Sequence, residues 1–235
     1  DIQGSSTTTQ IITTTTTTLT TSTTSSTTIT TTAVTCLCAV PYPNETAYSG
    51  NDRLAQWRFD DDYRDEMNTY NATPTNNMTF SSSSYSGKSL LFSAGTSPKL
   101  IIPYIPIVGI SFTVDLWLYA TALQNIFEIA ILGMCGAAEQ GKCFVLTMRQ
   151  TNSSFYAYID FFYDDCQGST PITTGTWLHI AVVFDKPQLR KQIYLNGRLE
   201  QDCTSFGSLN SPAANFTIGY LSPYGSSSNL GYLQV

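Results

Sequence analysis

The sequence predicts an all-β fold, a two-sheet antiparallel jelly-roll sandwich preceded by an extended N-terminal arm. Three observations carry this expectation. From about residue 54 the chain breaks into short runs in which apolar and polar residues alternate, the signature of half-buried strands. Clusters of Gly, Ser, Asn and Pro separate the runs and turn the chain back on itself. No stretch of comparable length carries a helical period.

The arm comes first. Of residues 1–35, 24 are Thr or Ser. Thr is β-branched and stiff at χ1, which favours extended backbone, and the sparse apolar residues Ile11, Ile12, Leu19, Ile29, Ala33 and Val34 could fill pockets, with Ile12, Leu19, Ile29 and Val34 as the anchors of a donated strand. Fully extended, the arm would reach on the order of 115 Å at ~3.3 Å per residue. Such hydroxyl density is also the composition of an O-glycosylated stalk, with Thr13, Thr14, Thr15, Thr16, Thr17 and Thr18 as acceptor candidates, although mucin-like stalks usually carry Pro and this tract has none. A solvated tail is the third possibility. Residues 36–53, with Cys36 and Cys38, read as a linker, and residues 54–235 as the jelly roll.

Within the jelly roll, strands are expected at 88–93, 99–104, 110–120, 126–132, 143–149, 155–163, 176–185, 191–200 and 214–220. Segment 110–120 is the clearest. It sets Ile110, Phe112, Val114, Leu116 and Leu118 on one face and Ser111, Thr113, Asp115, Trp117 and Tyr119 on the other. Strands 155–163, 176–185 and 191–200 read as a meander, which brings Cys166 and Cys203 to one sheet end. Cys135 and Cys143 flank a short Gly-rich loop between two strands, and a bridge closing it is the first expected disulfide. Cys166 to Cys203 is the second. Cys36 and Cys38 are left to another chain, to each other at some strain, or to Cys166 and Cys203.

Composition excludes several functions. Eleven Lys and Arg against 17 Asp and Glu give a net charge of −6, so phosphate backbones find no electrostatic footprint and nucleic acid is not an expected partner. No window is long and apolar enough for a membrane span, and the absence of an initiator Met and signal h-region is expected of a processed, secreted, extracellular product. Charged residues are only 12% of the chain, so the sugar carried by sequons at Asn44, Asn71, Asn77, Asn152 and Asn215 would provide much of its solubility. Asn71 is the weakest of these acceptors because Pro74 follows its Thr73.

The stretch GTWLHIAVVFDKPQLRKQIYLNG at 175–197 resembles the strand pair of laminin-G-like, concanavalin A-like jelly rolls. WRFDDD at 57–62, YSGKSLLF at 85–92, SFTVDLWLY at 111–119 and FTIGY at 216–220 match that family in order. The resemblance, which extends to secreted invertebrate-type glycoproteins with a Thr-rich tract, covers roughly residues 54–235. It also implies a last strand after FTIGY that is expected to be missing here. An unfilled slot exposes backbone donors and core; either the polypeptide continues beyond Val235 and the domain completes itself, or an N-terminal strand from a neighbour fills it, giving a head-to-tail homopolymer and an extracellular filament. The alternative to the filament is a carbohydrate- or protein-binding module on a mucin-like stalk.

Chemistry-bearing residues are few. His179, the only His, follows the family pattern and is expected to be structural; zinc lacks ligands, and no cofactor is expected. Glu128 is followed by apolar residues, so the paired-carboxylate spacing of the family's glycoside hydrolases is absent and no catalytic residue is expected. Asp60, Asp61 and Asp62, with Asp65 and Glu66, are weak calcium candidates without a dedicated loop spacing. The run Phe155, Tyr156, Tyr158, Phe161, Phe162 and Tyr163 could present rings to a sugar, or fill core, since residues of both parities are aromatic.

Overall fold

The structure, a computed structural model, describes residues 53–76, 78–92, 98–123, 127–221, 225–226 and 231–234. Their strands are β1 Thr73–Pro74, β2 Thr79–Ser81, β3 Ser89–Phe92, β4 Leu100–Ile102, β5 Phe112–Tyr119, β6 Glu128–Cys135, β7 Cys143–Thr151 and β8 Ser154–Asp160. There follow β9 Asp165–Gln167, β10 Trp177–Asp185, β11 Arg190–Leu195, β12 Arg198–Thr204, β13 Phe216–Ile218, β14 Tyr220–Leu221, β15 Gly225–Ser226 and β16 Gly231–Gln234. Among the described residues none is helical.

Two seven-stranded antiparallel sheets make a sandwich. The first runs β1-β4-β13-β6-β7-β8-β9 and the second β12-β11-β10-β5-β16-β3-β2, while β14 and β15 form a small hairpin. Alternation decides what lies between them. In β5 the inner residues Phe112, Leu116 and Leu118 are buried while Thr113, Asp115 and Trp117 are half-exposed, and β10 repeats the pattern with Ile180, Val182 and Phe184 inside. Phe112 meets Phe144 edge-on at 5.1 Å, and Phe161 meets Phe184 at 4.9 Å. Burial of each such ring contributes about 2 kcal/mol to stability.

Turn chemistry sets the register. Asn152 and Ser153 (φ 49° and 66°) join β7 to β8, and Asn196 and Gly197 (φ 50° and 76°) join β11 to β12. Two-residue turns with both φ positive match the twist of the strands they connect. Gly219, in the FTIGY element, has φ 83°, and a Cβ there would lie 2.3 Å from the Phe92 ring, so a side chain has neither the backbone nor the space it needs.

Three expectations are corrected. The sandwich does not lack its last strand: β16 fills the slot, pairing with β3 on one side and β5 on the other. The filling strand comes from the same chain, so the backbone of β3 and β5 offers no vacancy there for a neighbour's arm. Segment 191–200 is not one strand, because the Asn196-Gly197 turn divides it into β11 and β12. Nor do 155–163, 176–185 and 191–200 form a meander. β8 ends at Asp160 and lies in the first sheet, whereas β10 and β11 lie in the second. Period-two alternation marks a strand but carries no information about which sheet receives it.

The Cys166–Cys203 disulfide therefore has a different setting from the one expected. Cys166 belongs to β9 and Cys203 to β12, the edge strands of opposite sheets, and their Cα atoms are 5.8 Å apart. Next to it, Lys191 of β11 points inward and its Nζ lies 2.7 Å from Asp164 Oδ1 in the β8–β9 turn. One covalent and one ionic contact close the same side of the sandwich.

Candidate functional site

The outer surface of the first sheet carries the best-defined polar site among the described residues. Outward positions on β6, β7 and β8 fall in cross-strand rows, with Glu128 opposite Arg149 and Arg149 opposite Tyr156. Thr147 faces Tyr158 in the next row, and Asp160 faces Asp165 of β9 beyond it. A long cationic side chain in one row can reach a carboxylate beside it and another, diagonally, in a row further along.

Arg149 does so. Its Nε and Nη2 donate to Glu128 Oε1 at 3.2 and 3.0 Å, and its Nη1 donates to Asp165 Oδ2 at 2.7 Å. Thr147 Oγ1 donates to the same Glu128 oxygen at 2.8 Å. The guanidinium carbon stands 4.4 Å from the centre of the Tyr158 ring and 5.7 Å from that of Phe127, cation–π distances in both cases. Burial disfavours the Arg149 charge, but Glu128 and Asp165 outweigh it and hold the pKa above the usual arginine value. The guanidinium is thus locked in charge and in plane.

Around this cluster lies an open depression of about 590 Å³, lined by Phe127, Glu128, Arg149, Asp160, Phe162, Tyr163 and Asp165. Two of its rings project into solvent: Phe127 is 67% and Tyr163 77% exposed. Phe162 braces Tyr163 edge-on at 4.6 Å. Fixed donors and acceptors beside outward-facing rings are the arrangement that takes hydroxyls on the polar groups and C–H surfaces on the rings. With three carboxylates around one guanidinium, an anionic ligand meets more repulsion than attraction.

The aromatic run divides between core and surface. Phe155 and Phe161 point inward and are buried, whereas Tyr156 and Tyr158 lie on the outer face and Tyr163 on its rim. Sequence reasoning missed Phe127, Arg149, Asp160 and Asp165 and treated Glu128 only as a failed hydrolase motif. Outward parity in β7 was the available signal for Arg149; the other members depend on register.

The remaining candidates are not brought together. Asp60 Oδ1 accepts the Lys88 backbone N–H at 2.7 Å, Asp61 pairs with the Lys88 ammonium, and Asp62 Oδ2 accepts Arg64 Nε at 2.8 Å. Asp65 accepts the backbone N–H groups of Gln56, Thr69 and Tyr70, and Glu66 pairs with Arg58. These carboxylates organise the segment before β1, and among the described residues no three His, Cys, Asp or Glu side chains converge on a metal position. His179 lies on the outer face of the second sheet, its Nε2 3.2 Å from Asp115 Oδ2 and its ring 5.1 Å from that of Trp117.

Cys135 is bonded to Cys143 across β6 and β7, as Cys166 is to Cys203. Two disulfides suit an oxidising, extracellular setting. Of the sequon residues, Asn152 and Asn215 are exposed; Asn71 is exposed too, but its Oδ1 accepts the Asp65 N–H and its Nδ2 donates to Asn68. Asn44, Asn77, Cys36, Cys38, Thr13–Thr18, Ile12, Leu19, Ile29 and Val34 lie outside the described residues. Among those described, no helix is long and apolar enough to cross a membrane.

No curated protein sequence matches the chain. Solved structures of the same fold include domain 4 of AbnA, an extracellular arabinanase from Geobacillus stearothermophilus, in complex with arabinotriose. It aligns with a TM-score of 0.60 and 18% identity over 77% of this chain and 88% of that one. The botulinum neurotoxin serotype D binding domain aligns with a TM-score of 0.55 and 16% identity over 77% of this chain and 46% of its own. A structure of botulinum neurotoxin type C, a toxin whose cell entry depends on interaction with two ganglioside molecules, aligns with a TM-score of 0.55 and 11% identity over 77% of this chain and 47% of its own. The chain spans less than half of either neurotoxin chain, and at these identities the likeness is one of fold. Residues 94–234, more than half of the sequence and the part that holds β4 to β16, match the laminin G-type family described as the concanavalin A-like lectin/glucanases superfamily, and the chain belongs to that family.

Proposed function

We propose that this chain is a secreted, non-enzymatic carbohydrate-binding module whose ligand lies on the outer face of the first sheet. The observation that carries the reading is the Arg149 cluster flanked by the exposed rings of Phe127 and Tyr163. The ligand class is an uncharged, hydroxyl-rich glycan, because the face holds three carboxylates to one guanidinium. Arg149 and Glu128 fix one another's orientation, so hydroxyls meet preorganised partners. Binding fits better than hydrolysis, since Glu128 and Asp165 are held by Arg149 rather than poised as an acid and a nucleophile.

The filament reading loses its premise with the slot between β3 and β5 filled from within the chain. In the binding reading residues 1–35 act as an O-glycosylated spacer, 36–53 as a linker, and the exposed Asn152 and Asn215 as N-glycan acceptors. Asn71, committed to its local turn, carries no sugar.

Affinity electrophoresis against arabinan, xylan, mannan, galactan and β-glucan, with heparin as an anionic control, tests the proposal. Arabinan joins the panel because a relative of the same fold was solved with arabinotriose. Retardation by at least one neutral polysaccharide, lost in Arg149→Ala, is expected. Binding to none of them, or binding indifferent to Arg149→Ala and Phe127→Ala, overturns the assignment.

A further inference from the structure

On the opposite side of the first sheet from the Arg149 face, inside the sandwich, Lys191 and Asp164 form a second charged cluster. The Lys191 side chain is fully buried and the Asp164 side chain 4% exposed. Nζ is 2.7 Å from Asp164 Oδ1, and the same ammonium donates to the Asp164 carbonyl oxygen. It stands 5.2 Å from the centre of the Phe161 ring. The other carboxylate oxygen, Oδ2, accepts the Ser205 hydroxyl and the Phe206 backbone N–H, the latter at 3.2 Å. The two oxygens are therefore distinguished: one faces the lysine and the other is held by two donors.

An ion pair of this kind is costly to bury, and hydrocarbon of the same volume would often stabilise a core as well. The geometry suits a chemical step instead. A lysine amine held against a carboxyl in a buried site turns a slow bimolecular condensation into an intramolecular one. Burial lowers the Lys191 pKa, against the opposing pull of Asp164, Asp160 and Asp165, which increases the share of neutral, nucleophilic amine.

We propose that Lys191 and Asp164 condense to an intramolecular isopeptide bond. The proton shared along the Nζ–Oδ1 contact passes to the carboxyl, Nζ attacks Cγ, and the Cγ–Oδ1 bond breaks. Oδ1 leaves as water with the two protons given up by the ammonium, and Oδ2 becomes the amide oxygen, still accepting Ser205 Oγ and Phe206 N–H. The balance is ammonium plus carboxylate giving amide plus water, with no oxidant or cofactor. The product joins the β8–β9 turn of one sheet to β11 of the other, beside the Cys166–Cys203 bridge. It would give the open side of the sandwich a cross-link that reductants do not cut.

The test is the intact mass of the full chain, secreted from a host with an oxidising secretory pathway, after enzymatic deglycosylation, reduction and alkylation. The expected mass is one water below that calculated for the alkylated, deglycosylated sequence, and a protease digest yields the Asp164 and Lys191 peptides as one branched species. Lys191→Arg and Asp164→Ala each restore the missing water. Should either variant fail to fold, the wild-type measurement still decides. A wild-type chain at the full calculated mass, with a Lys191 amine that reacts with an acylating reagent under denaturing conditions, overturns the proposal and leaves a buried ion pair.

Discussion

The outer faces of the two sheets are both rich in aromatic residues, yet they use them in opposite ways. On the second sheet, rings satisfy rings. Tyr85 stacks on Trp117 with centroids 3.4 Å apart and planes within 11°, Trp117 approaches His179, and Tyr119 approaches Trp177 at 5.6 Å. On the first sheet the charges of Arg149, Glu128 and Asp165 satisfy one another, and Phe127 and Tyr163 are left turned to solvent. Aromatic content alone does not mark a binding face. A ring already stacked within its sheet contributes to stability, whereas a ring held beside an internally oriented charge cluster keeps a surface for something else.

The sharpest way to break this contrast is to remove the centre of the first face. Arg149→Ala leaves Glu128, with its side chain 10% exposed, facing Thr147 alone. It should abolish glycan retardation and lower stability by about 2–3 kcal/mol, less than the full cost of breaking a deeply buried pair because the site opens to solvent. Urea unfolding beside affinity electrophoresis measures both. Trp117→Ala on the other face should cost about 2 kcal/mol, from the lost stack and half-buried indole, and leave glycan affinity unchanged. Loss of binding in that variant would transfer the site to the second sheet.

Smaller effects sharpen the comparison. Phe127→Ala and Tyr163→Ala should each weaken binding roughly fivefold, about 1 kcal/mol of ring contact, while shifting stability by no more than about 0.5 kcal/mol. Isothermal titration against the retarding polysaccharide separates them from Arg149→Ala. The least effect concerns pH. The hydrogen bond from Arg190 holds the Asp202 carboxyl below its ordinary value of 3.8 on the edge strand β12, so the unfolded chain binds that proton more readily. The stabilisation is present above that value and is lost as pH falls through the depressed one. Asp202→Asn should lower stability slightly across the neutral region and flatten the acid limb, so that the two stability–pH curves converge at low pH.

Strands with long alternation, such as 110–120 and 176–185, were legible because each carries its own inward and outward parity. So were both disulfides, although the Cys166–Cys203 pairing followed from a meander that does not exist. β1, β2, β9, β14, β15 and β16 are two to four residues long, too short for alternation to stand out. The binding face was hidden for another reason. Arg149 is separated from Glu128 by 21 residues and from Asp165 by 16, on three different strands, so only the pairing register brings them onto one face within reach of each other. Register depends on turns and partners that no single run contains.

The placement of β16 bears on the order of events during synthesis. Of the described strands this one comes last in sequence, yet it occupies an interior position of its sheet, between β5 and β3. As the chain emerges, β3 and β5 wait without their common neighbour until residues 231–234 have been added. Until then the nascent sheet presents two unsatisfied strand edges to its surroundings, a state open to capture by other chains. Completion of this sheet is therefore gated by β16, and a folding helper that acts before its synthesis would shield that gap.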